Sequence, residues 1–262
     1  MLINSNHGLK YFQFNSLITK SLTHAIFTRQ GGISPYPYIS LNVGGTSGDS
    51  KDNVVENRRR MFDCMKLPVE SIFDVWQVHG KEIVYTRNPR PLNTEHKPAD
   101  IILTDQPGIT LFMRFADCVP IFLYDPQKKA IGIVHAGWQG TVLKAAEIAV
   151  ESMTRLFRSN PKDIIAGIGP SIGPDHYEVG NKVTKAVEEN LKFLKDEVVI
   201  QKSDKKFFDL WKSNEIVLQA SGLKQIETAK LCTACNLSDW YSYRKEGASS
   251  GRFGAMIGLT GK

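Results

Sequence analysis

Between Ile72 and Val134 the chain carries a succession of short apolar runs: Ile72 to Val75, Ile83 to Tyr85, Ile101 to Leu103, Ile109 to Phe112, Val119 to Tyr124 and Ala130 to Val134. Runs of this length, punctuated by turn residues, predict β-strands. Past His135 the period changes. Val142, Leu143, Ala146, Ala149, Val150, Met153 and Leu156 recur at helical spacing, which predicts one amphipathic helix over Thr141 to Phe157, entered through Gly137-Trp138-Gln139-Gly140. Short strands are expected at Tyr11 to Phe14 and Ala25 to Thr28, before a glycine- and proline-rich segment from Arg29 to Asp49. A helix capped by Asp52 or Asn53 then runs until Pro68 stops it. Later elements are a strand at Ile164 to Ile168, helices near Lys182 to Lys195 and Phe208 to Ala220, and a terminal strand near Ala255 to Leu259. Strands and helices mix without strict alternation, so an α/β or α+β fold with mixed sheets flanked by helices is expected rather than a doubly wound parallel sheet. No linker divides residues 1–262, which read as one domain.

Composition narrows the function classes. The net charge is +6, but the basic residues are scattered apart from Arg58-Arg59-Arg60 and the lysines between Lys182 and Lys212. Nucleic-acid binders more often carry a dense basic stripe with interleaved aromatics, so no nucleic acid is expected and a small anion, phosphate first, is preferred. No apolar stretch is long enough to span a bilayer. The four cysteines form no dense framework, and the first residues lack a basic segment followed by a long apolar run, so a cytoplasmic protein with reduced thiols is expected, as a monomer or homodimer.

Three residues carry the chemistry: His79 in Trp-Gln-Val-His-Gly, Cys118 in Ala-Asp-Cys-Val-Pro-Ile and His135 in Ile-Val-His-Ala-Gly-Trp. Imidazole and thiolate suit zinc, and three protein ligands leave a fourth position for water or substrate, as in catalytic sites. The turn Asp125-Pro126-Gln127-Lys128-Lys129 joins two strands into a hairpin in which opposed residues have numbers summing to about 254, which brings Cys118 and His135 within one residue of facing positions. His79 has to arrive from another loop. Two other readings use the same atoms: a cysteine hydrolase with a Cys118/His135 dyad, and a zinc-stabilised nucleotide-binding module without turnover. A multicopper laccase is excluded because its several coppers require many paired histidines and this chain has six in total, although copper could substitute for zinc at the single site.

Around this centre, Arg29 stands against Gly31-Gly32, with Ser40 and Asn42 in the same loop, a setting suited to a phosphate oxygen or a sugar hydroxyl. The helix start after His135 would bring free backbone N–H groups toward the ion. Cys232-Thr233-Ala234-Cys235 is a lone C-x-x-C and reads as structural, with Cys232-Thr233 allowed a place in a substrate pocket.

Taken together, Trp76-Gln77-Val78-His79-Gly80, Ala116-Asp117-Cys118-Val119-Pro120-Ile121, His135-Ala136-Gly137-Trp138, Gly167-Ile168-Gly169-Pro170 and Tyr241-Ser242-Tyr243-Arg244 resemble the YfiH-like, laccase-domain family of purine nucleoside phosphorylases, formerly called polyphenol oxidases. The resemblance implies a fold akin to cysteine hydrolases of the cytotoxic-necrotizing-factor type and a zinc on His79, Cys118 and His135. It also implies phosphorolysis of adenosine, inosine and S-methyl-5′-thioadenosine, and deamination of adenosine to inosine. In that chemistry Asp117 is the expected proton shuttle. Arg29, Arg58 and Arg252 are the expected phosphate holders, with Gln77 a further substrate contact. One departure is Lys245, where a second arginine is expected after Arg244.

Overall fold

The computed structural model describes residues 2–261. In chain order the elements are β1 (Leu2–Asn6), β2 (Leu9–Gln13), β3 (Leu22–Phe27), α1 (Lys51–Cys64), β4 (Ile72–Asp74), β5 (Ile83–Tyr85), β6 (Ile101–Thr104), β7 (Thr110–Phe115), β8 (Val119–Asp125) and β9 (Ala130–Ala136). There follow α2 (Trp138–Val142), α3 (Ala145–Phe157), β10 (Ile165–Ile168), β11 (Glu178–Val179), α4 (Asn181–Asn190), α5 (Lys195–Val198), β12 (Val199–Lys202), β13 (Lys205–Phe208), α6 (Leu210–Ala220), β14 (Gln225–Thr228), α7 (Tyr243–Glu246) and β15 (Phe253–Leu259). One mixed sheet has the order β1-β2-β3-β15-β7-β4, a second β14-β10-β8-β9-β6-β5, and β11-β13-β12 form a small third.

The strands alternate between two buried faces. Along β8, Phe122 and Tyr124 join Phe12, Phe115, Phe253 and Ile257 of the first sheet, while Val119, Ile121 and Leu123 point the other way, into Ala146, Ala149, Val150 and Met153 of α3. On the far side of the first sheet, Phe27, Phe112 and Met256 pack on Met61 and Phe62 of α1. The layers therefore run helix, sheet, sheet, helix. Burial on both faces is why these strands read as continuous apolar runs rather than as an alternation. Among the described residues no helix is long and apolar enough to cross a membrane.

Four expectations need correction. The helix over Thr141 to Phe157 is two helices, because Lys144 adopts a left-handed conformation (φ 57°) between α2 and α3. The Lys182 to Lys195 helix ends at Asn190, with a 3-10 turn before α5. Ser50, not Asp52 or Asn53, stands at the N-cap of α1. The hairpin register pairs Pro120 with His135 and Val119 with Ala136, so Cys118 is offset from His135 by two residues, not one. That difference matters: an offset of one would put the two side chains on opposite faces, whereas an offset of two keeps them on the same face as diagonal neighbours.

His24 on β3 is buried, and its Nε2 accepts the Phe14 backbone N–H at 3.0 Å. Burial, opposed by the Glu227 charge, holds its pKa down at about 4 instead of 6.5. As pH falls from 6.5 toward 4 the unfolded chain takes up a proton that the folded protein does not, so stability declines by up to about 1.4 kcal/mol per pH unit across that window. Urea midpoints for the wild type and His24→Gln test this; equal slopes for the two proteins count against it.

Candidate metal centre

His79 lies in the loop between β4 and β5, Cys118 directly ahead of β8, and His135 near the end of β9. Each contributes a ligand atom, and these atoms all lie within 4.8 Å of one another. The two imidazole rings meet edge to face with centroids 4.9 Å apart. Gly137 makes the approach feasible: a Cβ there would stand 2.9 Å from Cys118 Sγ and 3.4 Å from His79 Cδ2. Three residues from separate segments are thus brought to one point at the rim of the second sheet.

Asp100, which the sequence reading missed, organises the cluster. It is wholly buried immediately before β6, and its Oδ1 is 2.7 Å from His135 Nδ1. With Nδ1–H donated to this carboxylate, Nε2 is the nitrogen left for an ion. The same carboxylate accepts backbone N–H groups of Val78 (3.2 Å), His79 (3.1 Å) and Gly80 (2.6 Å), so one side chain fixes the loop of one histidine and the ring of another. The register explains the placement, since Ile101 faces Val134 and Asp100 therefore falls opposite His135. His135 also donates its own N–H to Asp100 O at 2.8 Å. Such a carboxylate leaves no local pattern; the available signal was its position directly ahead of an apolar run.

Burial alone would lift the Cys118 thiol and depress the His135 imidazole. Their mutual interaction, with Asp100 behind His135 and His79 beside Cys118, reverses both: the thiol is held at about 6 and the imidazole raised to about 9. The thiolate that a borderline-soft ion requires is therefore accessible near neutral pH.

The remaining predicted residues divide by what their polar atoms touch. Asp117 has a left-handed backbone (φ 80°), and both of its carboxylate oxygens are engaged at 2.6 Å, one by Thr233 Oγ1–H and one by the Arg244 backbone N–H. Arg29 donates to Ile39 O, Leu237 O and Glu246 and stacks 4.2 Å over the Tyr241 ring. With Ser40 it lines a cavity of about 290 Å³, together with Gln30, Ile39, Leu237 and Ser238 but none of the three cluster residues. Ser40 Oγ bridges Gly32 N and Arg29 O. Asn42 is buried, and its Oδ1 accepts the backbone N–H of Arg252 at 2.8 Å. Gln77 braces Arg114, donating to its carbonyl and accepting its N–H. Arg58 aims back at Val43 O and lies beside buried Asp74.

The Cys118 and Asp117 charges act on Arg252, and its guanidinium lies 5.7 Å from the Tyr243 ring centroid. Tyr177 and Arg244, 5.0 Å apart in a cation–π contact, border the same region, with the Cys118 charge acting on Tyr177. The five-residue α2 starts at Trp138, so the short turn after Gly137, rather than a long helix, adjoins the cluster.

Over residues 23–260 the chain matches the family described as multi-copper polyphenol oxidoreductase laccase. It is 34% identical over 249 residues to the purine nucleoside phosphorylase YlmD of Bacillus subtilis, covering 92% of this chain and 89% of that protein. Identity is also 34% over 233 residues to the purine nucleoside phosphorylase YfiH of Escherichia coli, covering 88% and 91%. The crystal structure of the Bacillus licheniformis hypothetical protein YfiH superposes with a TM-score of 0.89 at 32% identity, covering 97% of each chain.

Proposed function

This chain belongs to the laccase-domain family, and from that premise we propose that it is a zinc-dependent purine nucleoside phosphorylase. It acts on adenosine, inosine and S-methyl-5′-thioadenosine, and it also deaminates adenosine to inosine. Relatives named purine nucleoside phosphorylases support an enzymatic role at the family level. The observation that carries the reading is the convergence of His79, Cys118 and His135 within 4.8 Å, with Asp100 bonded behind His135.

The donor set fits the ion. Two imidazoles and one thiolate suit zinc, leave one position open, and accept copper less selectively. When bound, zinc supplies a Lewis acid and lowers the pKa of a coordinated water to about 7. His135 presents Nε2 because its Nδ1–H is donated to Asp100. Arg252, on which the Cys118 charge acts and whose Nη1 is already tied to Ser250 O and Gly251 O, supplies a fixed cation for a phosphate dianion. In phosphorolysis a phosphate oxygen forms the new bond to the anomeric carbon while the bond from that carbon to the purine nitrogen breaks, so holding phosphate in line is the principal task of the protein. Asp117 fits as a positioning group, since its two oxygens hold Thr233 and Arg244. The unpaired cysteines accord with a reducing, cytoplasmic setting.

A second reading has a specific observation behind it. The lowered thiol of Cys118 and the raised imidazole of His135 form the ion pair a cysteine hydrolase uses. One experiment separates the readings: zinc-loaded protein is incubated with adenosine with and without phosphate, and adenine, hypoxanthine, inosine and ribose 1-phosphate are resolved by chromatography. Only with phosphate, ribose 1-phosphate is expected in an amount equal to adenine plus the hypoxanthine formed from inosine, while inosine itself forms with or without phosphate. Absence of every product above a His79→Ala control overturns the proposal.

A further inference from the structure

Beyond this centre, a second set of candidate ligands lies next to the segment that carries Asp117. Asp175 and His176, in the loop after β10, and Cys232 and Cys235, in the C-x-x-C ahead of Trp240, offer four ligand atoms that all lie within 4.8 Å of one another. His176 Nδ1 is 2.9 Å from Asp175 Oδ2, 3.3 Å from Cys235 Sγ and 3.8 Å from Cys232 Sγ, and Cys235 Sγ is 3.2 Å from Asp175 Oδ2. Around a tetrahedral zinc, with Zn–N and Zn–O near 2.0–2.2 Å and Zn–S near 2.3 Å, ligand atoms sit about 3.3–3.8 Å apart. The observed separations depart from that by a few tenths of an ångström. The backbone N–H of Gly173 points at Cys232 Sγ at 3.2 Å. Cys235 and Asp175 are exposed, which leaves an entry path.

We infer that Asp175, His176, Cys232 and Cys235 bind a second zinc ion, in a closed four-ligand structural site separate from His79, Cys118 and His135. A single C-x-x-C is half of such a site, and the fold supplies the other half from a segment about sixty residues away in sequence. The site clamps the strand end that carries Cys118. Thr233, between the two cysteines, donates to Asp117 Oδ1, and Ile172, in the same loop as Asp175 and His176, donates its N–H to Asp117 O at 2.9 Å. A bridge between Ser171 and Cys232 already joins the two segments, and the ion would lock that join from outside.

The test is zinc content of the full chain, measured by elemental analysis after equilibration with zinc and removal of excess, in the wild type, Cys235→Ser, His176→Ala and His79→Ala. About two ions per chain are expected in the wild type and about one in each variant, with the double variant His79→Ala/Cys235→Ser near none. Cobalt substitution adds a second readout: thiolate-to-cobalt absorption persists in His79→Ala/Cys118→Ser and disappears when Cys235→Ser is added. Wild-type zinc content in Cys235→Ser overturns the inference. So does a Cys232–Cys235 disulfide, seen as an intact mass short by a pair of hydrogens, in protein that holds no second ion. If a single zinc is found and it depends on Cys235 but not on His79, this site stands while the proposed catalytic centre fails.

Discussion

Replacing His79 by alanine is expected to abolish zinc retention at the cluster and to reduce phosphorolysis of adenosine by on the order of a thousandfold or more. A Lewis acid contributes several kcal/mol of transition-state stabilisation, and each 1.36 kcal/mol is about tenfold in rate. Cys118→Ser should behave alike. The fold should survive, because His79 is exposed and its loop is held through the backbone by Asp100 rather than by the imidazole. Asp100→Asn gives a graded companion result: the metal ligands remain, but the carboxylate that orders His135 and the Val78–Gly80 turn is lost, and zinc affinity drops by about 10- to 100-fold. Zinc titration with a competing chelator, alongside kcat/KM on the loaded protein, measures both. If His79→Ala keeps wild-type turnover, the ligand set has been misread.

The largest expected loss of stability lies elsewhere, at Asp74. This carboxylate is fully buried at the end of β4, with Arg90 Nε at 2.7 Å, His96 Nε2 at 2.9 Å and Arg58 Nη1 at 3.7 Å, and Arg114 beside it. Burial opposes its charge, but His96, Arg114 and Arg58 outweigh it and hold the carboxyl well below the usual carboxylate range. Arg58 and Arg114 are in turn depressed by burial, Arg114 to about 10, so they depend on this counter-charge. Asp74→Ala leaves several guanidinium groups without it, and a cost of about 3–5 kcal/mol is expected. The sign with pH follows. The folded pKa lies below the unfolded value near 3.8, so the contribution is complete above that pH and is lost progressively as pH falls below it. Urea unfolding of wild type and variant at neutral pH should show the full gap, with the two curves converging in acid. A difference under about 1 kcal/mol would falsify the account. This cluster also explains Arg58, whose side chain looked available to phosphate from sequence and is instead committed to the interior.

What could be read in the chain, and what could not, has a physical boundary. The strands from β6 to β9 were legible because both of their faces are buried and most of their residues are apolar. β11, β12 and β13 were not: they are two to four residues long, half exposed, and mix lysine or glutamate with apolar residues. The break at Lys144 was invisible because neither Leu143 nor Lys144 carries the glycine or proline that normally announces a turn. In the candidate site, residue type pointed to His79, Cys118 and His135, since few side chains bind soft ions. The groups that hold them were hidden. Asp100 meets His135 through a cross-strand pairing of residues distant in sequence, and a carboxylate ahead of a strand resembles many others. Sequence also could not show what the loop arginine Arg29 touches, since its five donors satisfy carbonyls as readily as phosphates; in the fold it donates to Ile39 O and Leu237 O.

His79 and Asp117 both adopt left-handed backbones, with φ of 60° and 80°, a conformation that costs a side-chain-bearing residue on the order of 1–3 kcal/mol. Each is kept there by contacts to the rest of the protein, Asp100 in one case and Thr233 and Arg244 in the other. The backbone at the cluster is thus held by side-chain and backbone hydrogen bonds of the polypeptide itself. In this respect the protein differs from a zinc finger, whose shape comes from its ion: here hydrogen bonds from the surrounding chain hold the loops that carry the candidate ligands.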